Sequence, residues 1–288
     1  MIGSRLPASL FVAALGWAAI CCPPASAQQA PAEPKPAIAI TSRAADISVE
    51  IDSKLNRFPG LQANLIAEGR RWVDTMRKEA EKTRQDDPQL FGPGRRWTLE
   101  RRYDLVSEVG RYISILRTDD TYEGGAHPNM LMDTLLWDRE PKKRISIRPF
   151  FKETADNGPT MQALAGLVRT AVAAEKILRD LPNPSDPDKP STARSPEQYA
   201  QSDPSIRDGI QPTLLKLGPV TLAPSTVANK SAGLIFHFSP YAVGAYAEGP
   251  YTVFVPWTAF RAQLSPEGVA TFVGDLPDTE KSRYDIRQ

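Results

Sequence analysis

The residues best suited to proton chemistry lie in YEGGAHPNM, Tyr122 to Met130. His127 is one of two histidines in the 288-residue chain, and an imidazole that titrates near neutrality can take or give a proton. Asp119, Asp120, Glu123 and Asp133 stand near enough in sequence to orient it as a general base. Covalent chemistry also needs a nucleophile or a second group at hydrogen-bond distance, and no local spacing supplies one. Nor does any carboxylate pair have a spacing that fixes the roughly 5–9 Å separation of a glycosidase. The same turn has a structural reading. Gly124 and Gly125 supply backbone angles or close approach, Pro128 stiffens the exit, and His127 bonds a neighbouring backbone group. A third reading is recognition, with Tyr122, Gly124, Gly125, His127 and Asn129 presented to a partner.

Metal chemistry has little to draw on. Zinc takes three or four ligands that include nitrogen or sulfur, and His127, His237 and one carboxylate are the available set. His237 lies between Phe236 and Phe238, so on a strand its side chain faces away from theirs. No lysine-bearing nucleotide loop and no serine elbow occurs, so no metal and no cofactor is expected. The other informative stretch is SPYAVGAYAEGPY, Ser239 to Tyr251. Its Tyr241, Tyr246 and Tyr251 offer amphipathic contact area at low entropic cost, as tyrosines at interfaces do.

The elements that must hold these residues are readable from periodicity. Ile47, Val49 and Ile51 alternate with polar residues as a short strand. Leu61, Leu65, Trp72 and Met76 recur at helical spacing to about Arg84. Strands are expected over Trp97–Ser107 and Tyr112–Thr118, with Glu108–Arg111 as the turn, and over Met130–Trp137. The turn DREPKKR and the segment ISIRPFF follow. Asn157 to Leu181 reads as a second helix, stopped by Pro182. Pro182 to Pro212 has more prolines, serines and aspartates than apolar residues and reads as an extended surface insertion. VTLAPSTVA, LIFHFSP and PYTVFVPW return to strands; Val253, Val255 and Trp257 are expected on one buried face. The order predicts an α+β fold, an antiparallel sheet packed with two main helices. Trp72 and Trp97 read as core.

Arg5, an apolar run from Leu6 to Ile20 and the tripeptide Ala25-Ser26-Ala27 have the layout of a secretory signal peptide, residues 1–27. The run is short of the roughly 20 residues that span a bilayer, and the mature chain is expected to have no transmembrane segment. Ile20 and its preceding alanines are a poor lipid-attachment site for Cys21 or Cys22, so a soluble periplasmic or secreted protein is preferred to a lipoprotein. Both cysteines leave with the signal, which removes thiol catalysis and makes the core alone responsible for stability. Lys plus Arg total 35 against 34 for Asp plus Glu. Such a balance does not point to nucleic acid. A Pro-rich tether is expected at 28–43.

Two segments carry a resemblance. YEGGAHPN and FHFSPYAVGAYAEGPYTVFVPWTAF, Phe236 to Phe260, are similar to the opening turn and closing signature of an exported domain of unknown function, DUF3298. That domain is shared by the extracytoplasmic part of a lysozyme-binding anti-sigma factor and the non-catalytic region of a peptidoglycan deacetylase. Ile47 to Arg84 resembles the DUF4163-like part that precedes it, and Leu136 to Phe151 the stretch leading into the central helix. Trp257 stands where the family more often has tyrosine. The resemblance implies an N-terminal α+β part at 44–135 and a C-terminal α+β domain at 122–288 carrying the insertion at 182–212. It also implies an envelope location, with a lysozyme-like protein or peptidoglycan as partner. The anti-sigma and deacetylase roles do not carry over, because the segments that perform them have no counterpart in this sequence.

The favoured expectation is a non-enzymatic envelope protein that recognises a partner through Tyr122, Gly124, Gly125, His127, Asn129, Tyr241, Tyr246 and Tyr251. The alternatives are a cell-wall hydrolase or deacetylase using His127 and a carboxylate, and a purely structural envelope domain.

Overall fold

The computed structural model describes residues 36–92, 94–180 and 195–281. The expected signal peptide, the first part of the expected tether and residues 182–194 of the expected insertion lie outside them. The fold is α+β, built on a six-stranded and a three-stranded sheet.

The larger sheet has the order β1 (Ile38–Thr41), β2 (Ala45–Ile51), β3 (Trp97–Val109), β4 (Tyr112–Tyr122), β5 (Asn129–Asp138) and β6 (Lys143–Ile145). β1 falls within the expected tether: Ile38 pairs with Val49 and packs with its cluster, so this stretch is ordered sheet. The pairings are antiparallel except β2 with β3, which is parallel. Parallel neighbours need a crossover, and α1 (Pro59–Asp86) provides it. Leu61, Leu65 and Val73 of α1 pack on Ile47, Val49, Leu99, Ile113 and Ile115, all essentially buried. Each such aliphatic side chain contributes about 1.5–3 kcal/mol by leaving water. β3 runs to Val109, so the turn into β4 is Gly110-Arg111 and shorter than expected. A bulge between Leu105 and Ser107 turns Ser107 toward the second sheet. After β6 the segment ISIRPFF makes a 3₁₀ turn at Arg148–Phe150, where Pro149 cannot donate to a ladder.

The second sheet has the order β7 (Val220–Leu222), β8 (Gly233–Phe238) and β9 (Tyr251–Pro256). It packs against α2 (Pro159–Asp180): Leu164, Val168 and Val172 meet Leu234, Phe236, Val253 and Val255 in one cluster. Trp257 sits just past β9 in a 3₁₀ turn and is only partly buried against this core. β7 would be an open edge, yet its backbone is capped by side chains of the larger sheet. Val220 N–H donates to Thr134 Oγ1 (2.9 Å), Leu222 N–H donates to Ser114 Oγ (3.0 Å), and Ser107 Oγ–H donates to Leu222 O (2.5 Å). The pattern covers an edge that would otherwise invite pairing.

Residues 195–212 are not an extended insertion. They form α3 (Pro196–Ser202) and α4 (Pro204–Gly209), with Ala200, Ile206 and Ile210 buried in the α2 cluster. Their prolines start helices: Pro196 and Pro204 occupy the first turn, where a missing N–H costs nothing. Ser195 accepts from Gln198 N (3.3 Å), and Asp203 accepts from Ser205 N (2.8 Å). The chain closes with α5 (Pro266–Thr271) and α6 (Asp278–Lys281).

Candidate functional site

The β4–β5 turn and the β8–β9 connection meet. His127 stacks on Tyr246 with centroids 3.8 Å apart and planes at 23°, and Tyr241 lies beside both at 6.4 and 5.4 Å. The Pro128 carbonyl accepts from His127 Nδ1–H (2.9 Å) and from the Tyr246 hydroxyl (2.8 Å). A carbonyl only accepts, so the proton sits on Nδ1 and Nε2 is left to accept from the Tyr241 hydroxyl at 3.4 Å. His127 is half-buried, whereas Tyr241 is 63% exposed. Tyr241 also has φ 71°, a left-handed conformation costly for a residue with a β-carbon; the connection holds this ring outward despite that cost.

The carboxylates proposed to orient His127 do not reach it. Alternation puts Asp119 and Asp133 on the α1 side of the sheet. Arg101 grips Asp119 through two bonds of 2.6 Å, and Arg117 pairs with Asp133 at 2.9 Å and with Glu68 at 2.8 Å. Trp72 underlies Arg101 at 4.5 Å. Burial alone would raise the Glu68 pKa, but bonds from Arg144 and Arg117 outweigh it and hold the carboxyl below its usual range. This network is closed by its own ion pairs. Asp120 is on the His127 side, where Arg102 Nη2 bonds its Oδ2 at 2.9 Å. Among the described residues no hydrogen bond links His127 to a carboxylate, and no group of three or more His, Cys, Asp or Glu could hold a metal. His237 does not join His127 in any such group among the described residues. It is buried, bonded through Nε2 to Thr221 Oγ1 at 3.0 Å, and desolvation pushes its pKa down to about 4.

The remaining expected residues divide. Tyr122 is exposed on the sheet face that bears Asp120, and Asn129 opens β5 beside the cluster. Gly124 adopts φ 87° and needs to be glycine, whereas Gly125 has open space around it and no such angle. Tyr251 is not available to a partner. It is 2% exposed, its hydroxyl donates to Glu248 Oε2 (2.6 Å), and Arg179 lies 3.9 Å over its ring. As the first residue of β9 it faces inward, which follows from the parity it shares with Val253 and Val255.

Tyr251 belongs instead to the support under the cluster, which sequence spacing did not reveal. Lys176 of α2, 4% exposed, donates to Asp203 Oδ2 (2.9 Å) and Ser205 Oγ (3.1 Å) and lies 3.2 Å from Glu248 Oε2. Burial opposes its charge, but the bonds to Asp203 and Glu248 outweigh it and raise its pKa. Glu248 Oε1 accepts from Ala245 N (2.6 Å), folding the carboxylate over Gly244, where a β-carbon would come within 2.5 Å of it. Arg179 donates to the carbonyls of Glu248 (2.8 Å) and Pro250 (3.0 Å). The aromatic connection is thus fastened at three points to α2 and the α3–α4 turn. Beside it opens a cleft of about 280 Å³ lined by Asp120, Asn129, Met130, Pro240, Tyr246 and Pro250 among others.

The segment from α2 through β9 is also where the chain matches a known family. Residues 156–258 match the family DUF3298, described as a protein of unknown function. The DUF3298 match takes in Tyr241, Tyr246, Lys176 and Glu248, while His127 and its turn lie before its first residue. Two solved structures match part of the chain. A DUF3298 family member from Bacteroides fragilis is 15% identical, with 78% of this chain and 87% of that one covered at a TM-score of 0.49. A DUF3298 family protein from Pseudomonas aeruginosa is 14% identical, with 80% and 87% covered at a TM-score of 0.44. No curated protein matches the chain. Among the described residues, no helix is long and apolar enough to cross a membrane.

Proposed function

We propose that this protein is a non-enzymatic recognition module of the cell envelope, exported by its N-terminal signal, and that it binds a protein or cell-wall partner through the His127–Tyr241–Tyr246 cluster. The observation that carries this reading is the packing of His127 between a carbonyl and two tyrosines. Nδ1 is tied to a backbone carbonyl and Nε2 to the Tyr241 hydroxyl, no carboxylate among the described residues bonds the ring, and the rings open to solvent at the rim of a cleft. Rigid aromatic rings on a fastened loop lose little entropy on contact, the property of binding hot spots. A lysozyme-like protein or peptidoglycan is the partner suggested by the resemblance of the two signature segments. A stable protein complex would bury at least about 1,000 Å² around this cluster.

Calorimetric titration of residues 28–288 with a panel of lysozymes and with soluble peptidoglycan fragments tests the reading. Saturable binding, weakened at least about tenfold by Tyr246→Ala with an unchanged melting temperature, is the expected result; a hot-spot tyrosine carries roughly 2 kcal/mol. Binding indifferent to both Tyr246→Ala and Tyr241→Ala would move recognition to another surface. Turnover of any glycan, lost in His127→Ala, would overturn the non-enzymatic assignment.

A further inference from the structure

We infer that the cleft beside Tyr246 receives an arginine side chain from a basic face of a protein partner. This rests on the recognition reading above and gives its partner a chemistry.

The walls are mostly apolar. Pro128, Met130, Pro240 and Pro250 line the cleft, and Tyr246 adds an aromatic wall. Asp120 differs from these walls, being the one acidic residue in the lining. Arg102 occupies its Oδ2 at 2.9 Å, and among the described residues Oδ1 has no hydrogen-bond partner. An aliphatic ligand that filled the space would strip water from that carboxylate without replacing it, and a sugar, whose hydroxyls can donate to the carboxylate, would lay its other hydroxyls against the proline and methionine walls. An arginine satisfies both demands. Its methylenes lie along prolines and Met130, its guanidinium donates to Asp120 Oδ1, and the Tyr246 ring favours a nearby cation. The cleft, at about 280 Å³, has room for one such side chain.

Charge around the cleft points the same way. The face of the larger sheet that bears Asp120 extends past the cover of β7. By strand register it also carries Asp46 of β2 and Glu100 of β3. These three carboxylates share two arginines: Arg102 pairs with Glu100 at 3.3 Å as well as with Asp120, and Arg96 pairs with Asp46 at 3.2 Å. The side chains of Asp46, Glu100 and Asp120 keep 43%, 39% and 33% of their exposure. A basic partner surface is attracted to this face over about a Debye length, and the arginine in the cleft fixes its register.

The test uses ¹⁵N-labelled residues 28–288, titrated and followed by NMR with the blocked peptides Ac-Gly-Arg-Gly-NH₂, Ac-Gly-Leu-Gly-NH₂ and Ac-Gly-Tyr-Gly-NH₂, and with N-acetylglucosamine. The arginine peptide should shift the amides of Asp120, Asn129, Met130 and Gly249, with an affinity at least about tenfold weaker in Asp120→Asn and in 0.5 M salt. The leucine peptide and the sugar should leave those amides in place. Equal or larger shifts from a neutral peptide or the sugar, or no shift from the arginine peptide, overturn the inference. If lysozyme or peptidoglycan binding still depends on Tyr246 in that case, the recognition reading stands without it. If that dependence is absent as well, both fall.

Discussion

Lys176, near the end of α2, lies 3.2 Å from the carboxylate of Glu248, and Glu248 stands two residues from Tyr246 in the aromatic connection. The lysine is buried, so the ion pair is both an anchor for the aromatic connection and a hazard if half of it is removed. Lys176→Met fills the space but leaves Asp203 and Glu248 without their cation. One partner lost from a buried pair costs about 3–5 kcal/mol, and the exposure of Glu248 puts the loss near about 3 kcal/mol. Urea unfolding should show that drop. Tyr246 hydrogen exchange and ring shifts should move more than those of β1–β6, and a uniform change across both sheets would refute the anchoring role.

His237 gives the fold an acid-sensitive point away from the cluster. Its pKa is depressed from 6.5 to about 4 by desolvation, and among the described residues its Nδ1 has no hydrogen-bond partner. Above pH 6.5 the ring is neutral in both folded and unfolded chains, and its site is fully compatible with the fold. As pH falls below 6.5 the unfolded chain binds a proton that the folded chain refuses, so stability declines until about pH 4 and then levels off. The whole difference is about 3 kcal/mol, of which about 2 kcal/mol falls between pH 7 and 5. Asp203 and Glu248, whose carboxyls are held below their usual range, act at lower pH. Urea midpoints measured at pH 7 and 5 should converge in His237→Gln; an undiminished pH slope in that variant would assign the effect elsewhere.

Much of this architecture was legible. The apolar spacing of Leu61, Leu65 and Trp72 gave α1, and the alternation of Ile47, Val49 and Ile51 gave β2, because each pattern reports burial on one face. The parallel β2–β3 pairing was not legible, since alternation within a strand carries no direction. Pro196 and Pro204 misled because proline ends one element and begins the next, and only the Ser195 and Asp203 caps distinguish the two. At the site, Tyr241, Tyr246 and His127 were marked by composition and do meet. Tyr251 was marked by the same composition and is buried, its fate decided by the parity of β9. Lys176 had no local signal, and Asp120 was marked only as a carboxylate near His127 and not as part of a cleft; both placements depend on contacts between elements far apart in the chain.

Leu222 and Ser114 join the two sheets. The Ser114 hydroxyl is fully buried and accepts from Leu222 N–H at 3.0 Å. Ser114→Ala leaves that amide without an acceptor, which costs about 1–3 kcal/mol. Thr134→Val, close in shape, should do the same to Val220 N–H by a similar amount. Native-state hydrogen exchange should quicken at Val220 and Leu222 while the His127–Tyr246 stack keeps its chemical shifts. Protection unchanged at β7 in both variants would mean that its edge is held by packing alone.

Gly124 and Gly125 are adjacent and chemically identical, yet the structure predicts different responses to the same substitution. Gly124 has φ 87°, a conformation that a β-branched residue rarely adopts, and a β-carbon at either position meets nothing within 4 Å. Space is therefore not the constraint; backbone angle is, and it acts at Gly124 alone. Gly124→Val should lose about 1–2 kcal/mol or reshape the turn, shifting Pro128 and its bonds to His127 and Tyr246. Gly125→Val, whose native angle a side chain tolerates, should keep wild-type stability within about 0.5 kcal/mol. Gly124→Asn is the control, since asparagine accepts left-handed angles better than valine; its melting temperature should lie between those of wild type and Gly124→Val. Equal losses from Gly124→Val and Gly125→Val would show that the turn constrains both residues by contact rather than one by angle.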